Sequence, residues 1–167
     1  MGFTHDTHMS MIIPVQYWQP AGTNVLTWSV TANLVSAART ANTTAFSLFI
    51  PVKLLSNDSG LKGSRLKSID VYFKNATADL TSFAIPVLQK MTLKADTVAP
   101  TGEAVTTTYT PVNTTCLTQA TIKLTVTLTT PEWIDDESYY VLDLEIDPAA
   151  GSVLTWYVAR ANYDFRV

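Results

Sequence analysis

Hydrophobic and polar residues alternate along most of this chain. The clearest run is Thr121–Thr130. Ile122, Leu124, Val126 and Leu128 share one parity, and Thr121, Lys123, Thr125, Thr127 and Thr129 share the other. Successive strand side chains point to opposite faces, so this run predicts a β-strand with one dry and one wet face. Tyr139–Ile146 repeats the pattern, with Tyr140, Leu142, Leu144 and Ile146 apolar and Asp143 and Glu145 on the outer side. With Pro131–Glu137 joining them, Thr121–Ile146 is expected to form a β-hairpin.

The same periodicity predicts strands elsewhere. Val25–Val35 places Leu26, Trp28, Val30, Ala32 and Leu34 inward, and Thr44–Leu55 does so with Phe46, Leu48, Ile50, Val52 and Leu54. Leu66–Lys74 turns Ile69, Val71 and Phe73 inward and Asp70, Tyr72 and Lys74 outward. Ser82–Lys94 aligns Phe83, Ile85, Val87, Met91 and Leu93, and Glu103–Thr110 is a shorter strand with Val105, Thr107 and Tyr109 in phase. Proline cannot donate to a ladder, so Pro51 and Pro86 mark an edge or a bulge. The last strand begins with Leu154, Trp156 and Val158 in phase, yet Tyr163, Phe165 and Val167 have the other parity. A bulge near Arg160–Asn162 would re-aim them.

No long segment carries the helical period. About eight strands separated by turn signals predict an all-β fold, a two-sheet antiparallel sandwich of jelly-roll or Greek-key type, with a closed barrel as the alternative. Residues 1–24 differ: Met9, Met11, Ile12, Ile13, Val15, Tyr17 and Trp18 are apolar, but Pro14 and Pro20 interrupt them. They read as an extended N-terminal arm that must lie along this domain or a neighbouring subunit, or else as the first strand of the same sheet. Residues 25–167 form the sandwich domain.

Composition narrows the function classes. Only 15% of residues are charged, against about a quarter in ordinary soluble domains. Thr, Ser and Asn supply the polar surface instead, which suits a neutral β-domain or one packed among identical neighbours. A net charge of −3 argues against nucleic acid, which attracts basic surfaces. No uncharged apolar run reaches the length of a membrane span, about 18 residues. The first ten residues lack Lys and Arg, so no Sec-type signal is expected. Cys116 is alone, which rules out an intrachain disulfide or a cysteine zinc site from one chain.

Candidate chemistry is sparse. His5 and His8 flank Asp6 in a His-x-x-His pair, but in the arm they lack a third ligand. Asp135, Asp136 and Glu137 make an acidic turn that could supply oxygens to calcium. The spacing does not fit an EF-hand, and a solvated turn explains it. No metal and no cofactor are expected. No Ser-His-Asp set forms, because both histidines lie in the arm, and no glycine-rich phosphate loop exists. Trp28 and Trp156 share the core phase. Trp133 lies in a loop and is the best single candidate for a ligand or subunit contact. Tyr72, Trp18 and Tyr17 are the others.

Two stretches carry a resemblance. One is Asp136-Glu-Ser-Tyr-Tyr-Val-Leu-Asp-Leu-Glu-Ile146. The other is a short glycine turn followed by Leu154-Thr-Trp-Tyr-Val158 and the aromatic end Tyr163-Asp-Phe165. Behind an apolar arm and a Thr-rich strand pattern, the chain resembles small β-sandwich virion proteins of tailed phages, of the capsid-decorating and fibre-head kinds. The resemblance is one of pattern and carries no functional residue. It implies a non-enzymatic, homotrimeric module located on a virion, with other virion proteins such as the major capsid protein as partners. A carbohydrate- or receptor-binding module is the alternative, using Trp133 and exposed tyrosines such as Tyr72.

Overall fold

A computed structural model describes residues 6–21, 28–30, 36–39, 43–54, 63–93, 101–134 and 138–166. Two antiparallel sheets face each other across one core. Sheet A contains β1 (Asp6–Pro14), β3 (Trp28–Val30), β4 (Ala37–Arg39), β6 (Ser64–Ala76), β10 (Thr107–Thr110), β11 (Thr121–Leu128) and β13 (Val153–Arg166). Its order is β10-β11-β6-β13-β4-β3, and β1 also pairs with β13. Sheet B contains β2 (Gln19–Ala21), β5 (Phe46–Val52), β7 (Leu80–Phe83), β8 (Val87–Thr92), β9 (Thr101–Val105) and β12 (Ser138–Pro148). Its order is β2-β5-β12-β8-β9, and β7 also pairs with β12. A 3-10 turn, Val15–Tyr17, links β1 to β2, and one helical turn, Asn113–Cys116, precedes β11. The all-β, two-sheet sandwich expected from the alternation is the fold.

In β11 and β12 the inward parities also hold. Ile122, Leu124, Val126 and Leu128 are buried from sheet A, and Tyr140, Leu142, Leu144 and Ile146 from sheet B. Phe73 and Trp156 pack with ring centroids 4.7 Å apart, Phe83 stacks on Phe73 at 5.8 Å, and Trp18 meets Trp156 edge-on at 6.0 Å. Aromatic pairs add about 0.5–1.5 kcal/mol each beyond the area they bury, so this chain of rings ties the sheets and the 3-10 turn together.

Partners are where the structure departs from expectation. β11 and β12 do not form a hairpin. β11 pairs with β10 and β6, whereas β12 pairs with β5, β8 and β7. The link between them crosses from one sheet to the other, so their apolar faces meet across the core. Periodicity fixes which face is dry and is silent on whether two dry faces lie side by side or opposite.

Glu103–Thr110 is likewise two strands, since the chain changes sheets at Thr106. β9 pairs with β8 in sheet B and β10 with β11 in sheet A. Ser82–Lys94 is broken by Pro86 into β7 and β8, both along β12. The break shifts the phase: Phe83 and Leu88 are buried, while Ile85, Val87 and Leu93, expected inward, are exposed. Pro51 fits its edge reading, because β2 pairs only with Ser47–Phe49 and leaves that side of Pro51 uncovered.

Between the strands expected at Val25–Val35 and Thr44–Leu55 lies β4, three residues paired with Leu154–Trp156. So short an alternation cannot be read from sequence. The register of β13 against β6 shifts twice, between Asn162 and Tyr163, beside the irregularity expected near Arg160–Asn162, and earlier at Tyr157, where the inward phase changes. The register runs Trp156↔Phe73 and then Val158↔Tyr72, which puts a bulge at Tyr157. Ala159, Ala161 and Tyr163 then face inward. That bulge sits where the neighbour on the far side of β13 changes from β4 to β1.

The described part of the arm lies along this same domain. β1 pairs with β13 over nine residues, from Asp6↔Arg166 to Pro14↔Val158, and β2 joins the other sheet.

Candidate functional site

The outer faces of the two sheets differ in kind. On sheet A, register sets Thr125, Asp70 and Arg160 in one row, and Ser68 beside Asn162 in the next. Asp70 was expected to point to solvent. It does leave the core, yet its side chain is only 2% exposed, because its neighbours close over it. Thr125 Oγ1 donates to Asp70 Oδ1 at 2.7 Å, Arg160 Nη2 to Oδ2 at 2.7 Å and Asn162 Nδ2 to Oδ2 at 3.2 Å. Lys123 Nζ lies 3.3 Å from Oδ1.

Asp164 is built in the same way and is 1% exposed. Arg65 Nη2 donates to its Oδ2 at 2.7 Å, Lys67 Nζ lies at 3.3 Å, and His8 Nδ1 meets Oδ1 from β1. Arg65 also reaches Asp6 Oδ2 at 3.4 Å.

These contacts set the charge states. Burial alone would raise the Asp70 carboxyl, but the donors Thr125, Arg160, Asn162 and Lys123 outweigh it and hold it below the ordinary value. Burial likewise opposes, and Arg65, Lys67 and His8 overcome, the same tendency at Asp164. Both are ionised and neutralised in place. Cys116 is buried, which pushes its thiol up to about 11, so it stays protonated and inert at neutral pH.

Sheet B presents the opposite character. Phe49 and Pro51 of β5 face outward, with Val141 and Tyr139 of β12 beside them; the register is Pro51↔Val141 and Phe49↔Asp143. Gln19, Phe49, Pro51, Tyr139 and Val141 line a groove of about 380 Å³. It shares Gln19 and Pro51 with an adjoining hollow of about 420 Å³ that runs past Tyr17, Lys53 and Pro14 to Ile12 of β1. Tyr17 is 63% exposed and Ile12 66%. The only formal charge along this band is Lys53. Asp143 and Glu145 close the band's far end. There burial raises the Asp143 carboxyl, a hydrogen bond from Ser47 lowers it by less, and the nearby Glu145 adds a smaller rise.

The sequence candidates divide between these places. Tyr17 lies in the apolar band. Trp133 is half-buried; its backbone bridges to Arg65, whose guanidinium lies 4.9 Å from the indole centroid. The residue is thereby fastened to the charged end of sheet A. Tyr72 stands on the outer face of sheet A between Lys123 and Val158. Trp18 is a correction: it is 3% exposed, donates Nε1–H to Ile13 O at 3.2 Å, and packs on Trp156. It is a core residue, with no face left for a ligand or second subunit. Its neighbour Tyr17 takes the exposed position because the 3-10 turn rotates successive side chains apart. Asp135, Asp136, Glu137, His5 and the side chain of Trp28 lie outside the described residues. Among the described residues no group of three metal-ligating side chains converges.

Sequence reasoning missed Phe49, Pro51, Tyr139 and Val141 as one surface. A signal was present: in Thr44–Leu55 and Tyr139–Ile146 both parities carry apolar residues, which a strand with one wet face does not need.

The fold and its surfaces therefore define a two-sheet β-sandwich with one charge-locked face and one apolar face. No protein-family model and no curated protein matches the sequence. Among solved structures the chain is similar to a family two carbohydrate esterase from Cellvibrio japonicus, with TM-score 0.40 and 10% identity. The match covers 98% of this chain but only 36% of that one, so the chain spans about a third of its length. A likeness this slight bears on neither fold nor activity, and the architecture above rests on strand register alone.

Proposed function

We propose that this chain is a non-enzymatic structural module that acts by surface contact, a subunit of a virus particle of the decoration or fibre-head kind. It holds neighbouring copies of itself through the apolar band on sheet B. The observation that carries the reading is the continuity of that band from Ile12 and Tyr17 through Pro51 and Phe49 to Val141 and Tyr139. Contiguous exposed apolar surface is costly in water, and on soluble proteins it marks contact sites. The low charge of the whole chain supports the same occupant, since a copy of this molecule offers a surface as neutral as the band. The ionisable groups that could do chemistry support it too, because Asp70, Asp164 and His8 are occupied in holding strands together.

Sedimentation at about 0.1 mM tests the reading. The expected result is an assembly built of trimers, single or joined in pairs, whose three-fold contact the double variant Tyr17→Lys/Val141→Lys weakens at least tenfold. A monomeric parent protein, or association indifferent to both lysines, overturns it.

A second reading, a carbohydrate-binding module, is favoured by one feature: Tyr139 lines the groove and Tyr17 the adjoining hollow, and the two share Gln19. Saturable binding of a neutral oligosaccharide, lost in Tyr139→Ala, would replace the first reading.

A further inference from the structure

Sheet edges are hazardous, because their unpaired N–H and C=O groups can accept a strand from another molecule, and proteins usually blunt them. Among the described residues, most edges here are blunted. Sheet A ends at β3, three residues long, and at β10, four residues running into Pro111. Sheet B ends at β2, three residues centred on Pro20, and at β9, which carries Gly102 and Glu103.

β1 is different. It is nine residues long and pairs with β13 without a register shift. It holds no Lys, Arg or Gly, and no Pro before its last residue, Pro14. Asp6–Ser10 are all exposed, Met9 is 45% exposed and Ile12 66%. Among the described residues no strand pairs with its far side.

We propose that β1 pairs antiparallel, edge to edge, with β1 of a second copy, joining the two A sheets across a two-fold axis. The sequence is self-complementary in that arrangement. Centred on Ser10, it sets Met9 beside Met11, His8 beside Ile12 and Asp6 beside Pro14, so no like charges oppose. It also keeps the parities aligned, so on the inward side Met9 and Met11 of the two copies meet, with Thr7 beside Ile13 at either end. The main-chain bonds supply affinity in the manner of β-strand addition. A two-fold contact of this kind is closed; it is made by the β1 main chain, although Met11–Pro14 of the same strand also line one end of the band.

The test is made in the Tyr17→Lys/Val141→Lys background, so that the band cannot contribute. A nitroxide label on Ser10→Cys is read by pulsed electron resonance at about 0.1 mM, with labelled parent protein as the control for Cys116. Paired strands lie about 4.8 Å apart, so the two labels should sit within roughly 20 Å of each other. Unlabelled protein is compared by sedimentation with and without Met9→Lys, which places a charge on the joined edge. The lysine should weaken the dimer at least tenfold and leave the circular-dichroism melt unchanged. A monomer in this background, a dimer without the short distance, or a dimer indifferent to Met9→Lys overturns the proposal.

Discussion

The outer faces of the two sheets handle the same problem, the half of each strand that the core does not use, in opposite ways. Sheet A fills that half with carboxylates and cations that satisfy one another: Asp70 under Arg160 and Lys123, Asp164 under Arg65 and Lys67. Sheet B leaves Phe49, Pro51, Tyr139 and Val141 only partly covered. The first face is complete within one chain, and its groups have few bonds left to offer. The second is incomplete and has apolar area to give to a neighbour. Charge content alone points to sheet A, whose charged groups are already paired with one another.

The contrast can be broken most sharply at Asp70. Asp70→Ala removes the common acceptor of Thr125, Arg160, Asn162 and Lys123 and should cost about 2–3 kcal/mol, read by urea denaturation at pH 7. The cost is moderate because Arg160 and Lys123 are 41% and 48% exposed and can regain water. The folded-state values of Asp70 and Asp164 are lowered, so their stabilisation is complete above the unfolded-state carboxylate range. It disappears as pH falls through the lower folded values. The gap between parent and Asp70→Ala should therefore narrow in acid and stay flat from pH 6 to 8.

Next in size is the other face. In Tyr17→Lys/Val141→Lys the exposed Tyr17 site should cost less than about 0.5 kcal/mol of monomer stability and the half-buried Val141 site about 1 kcal/mol, while association weakens tenfold. Loss of fold in this variant would show that sheet B's outer face is structural after all.

Asp143→Asn gives a smaller effect of opposite pH sense. The folded value of Asp143 is raised, so its ionisation opposes folding as pH rises through that value. The asparagine variant should gain up to about 1 kcal/mol at pH 7 and nothing at pH 3.

The smallest effect is that of salt. Raising sodium chloride to 1 M should lower stability by under about 1 kcal/mol through screening at sheet A, without weakening contact through the band.

What was legible in the sequence followed from side-chain parity. Ile122 through Leu128 and Tyr140 through Ile146 are buried as the alternation requires, because a dry face must alternate whichever strand lies beside it. Pairing was not legible, since β11 and β12 satisfy the same pattern from opposite sheets. Sheet switching at Thr106 and the bulge at Tyr157 were hidden for a related reason: one residue of irregular backbone changes the parity downstream without changing the residue types. The charged clusters were unreadable because Asp70 is 90 residues from Arg160 and Asp164 is 99 from Arg65, and only the pairing of β6 with β13 brings each pair together. The band was partly readable, as apolar residues on both parities of two strands.

β13 lies between β6 on one side and β4 and β1 on the other, and it follows all three in sequence. A growing polypeptide therefore exposes three strands that share a neighbour not yet made. β10, β11 and β6 can pair as they are made, and so can β3 and β4, but the two halves of sheet A join only when residues 153–166 arrive between them. Long-range pairing of this sort is slow and leaves sticky intermediates. The cell's window for misassembly thus stays open until the middle of that sheet arrives.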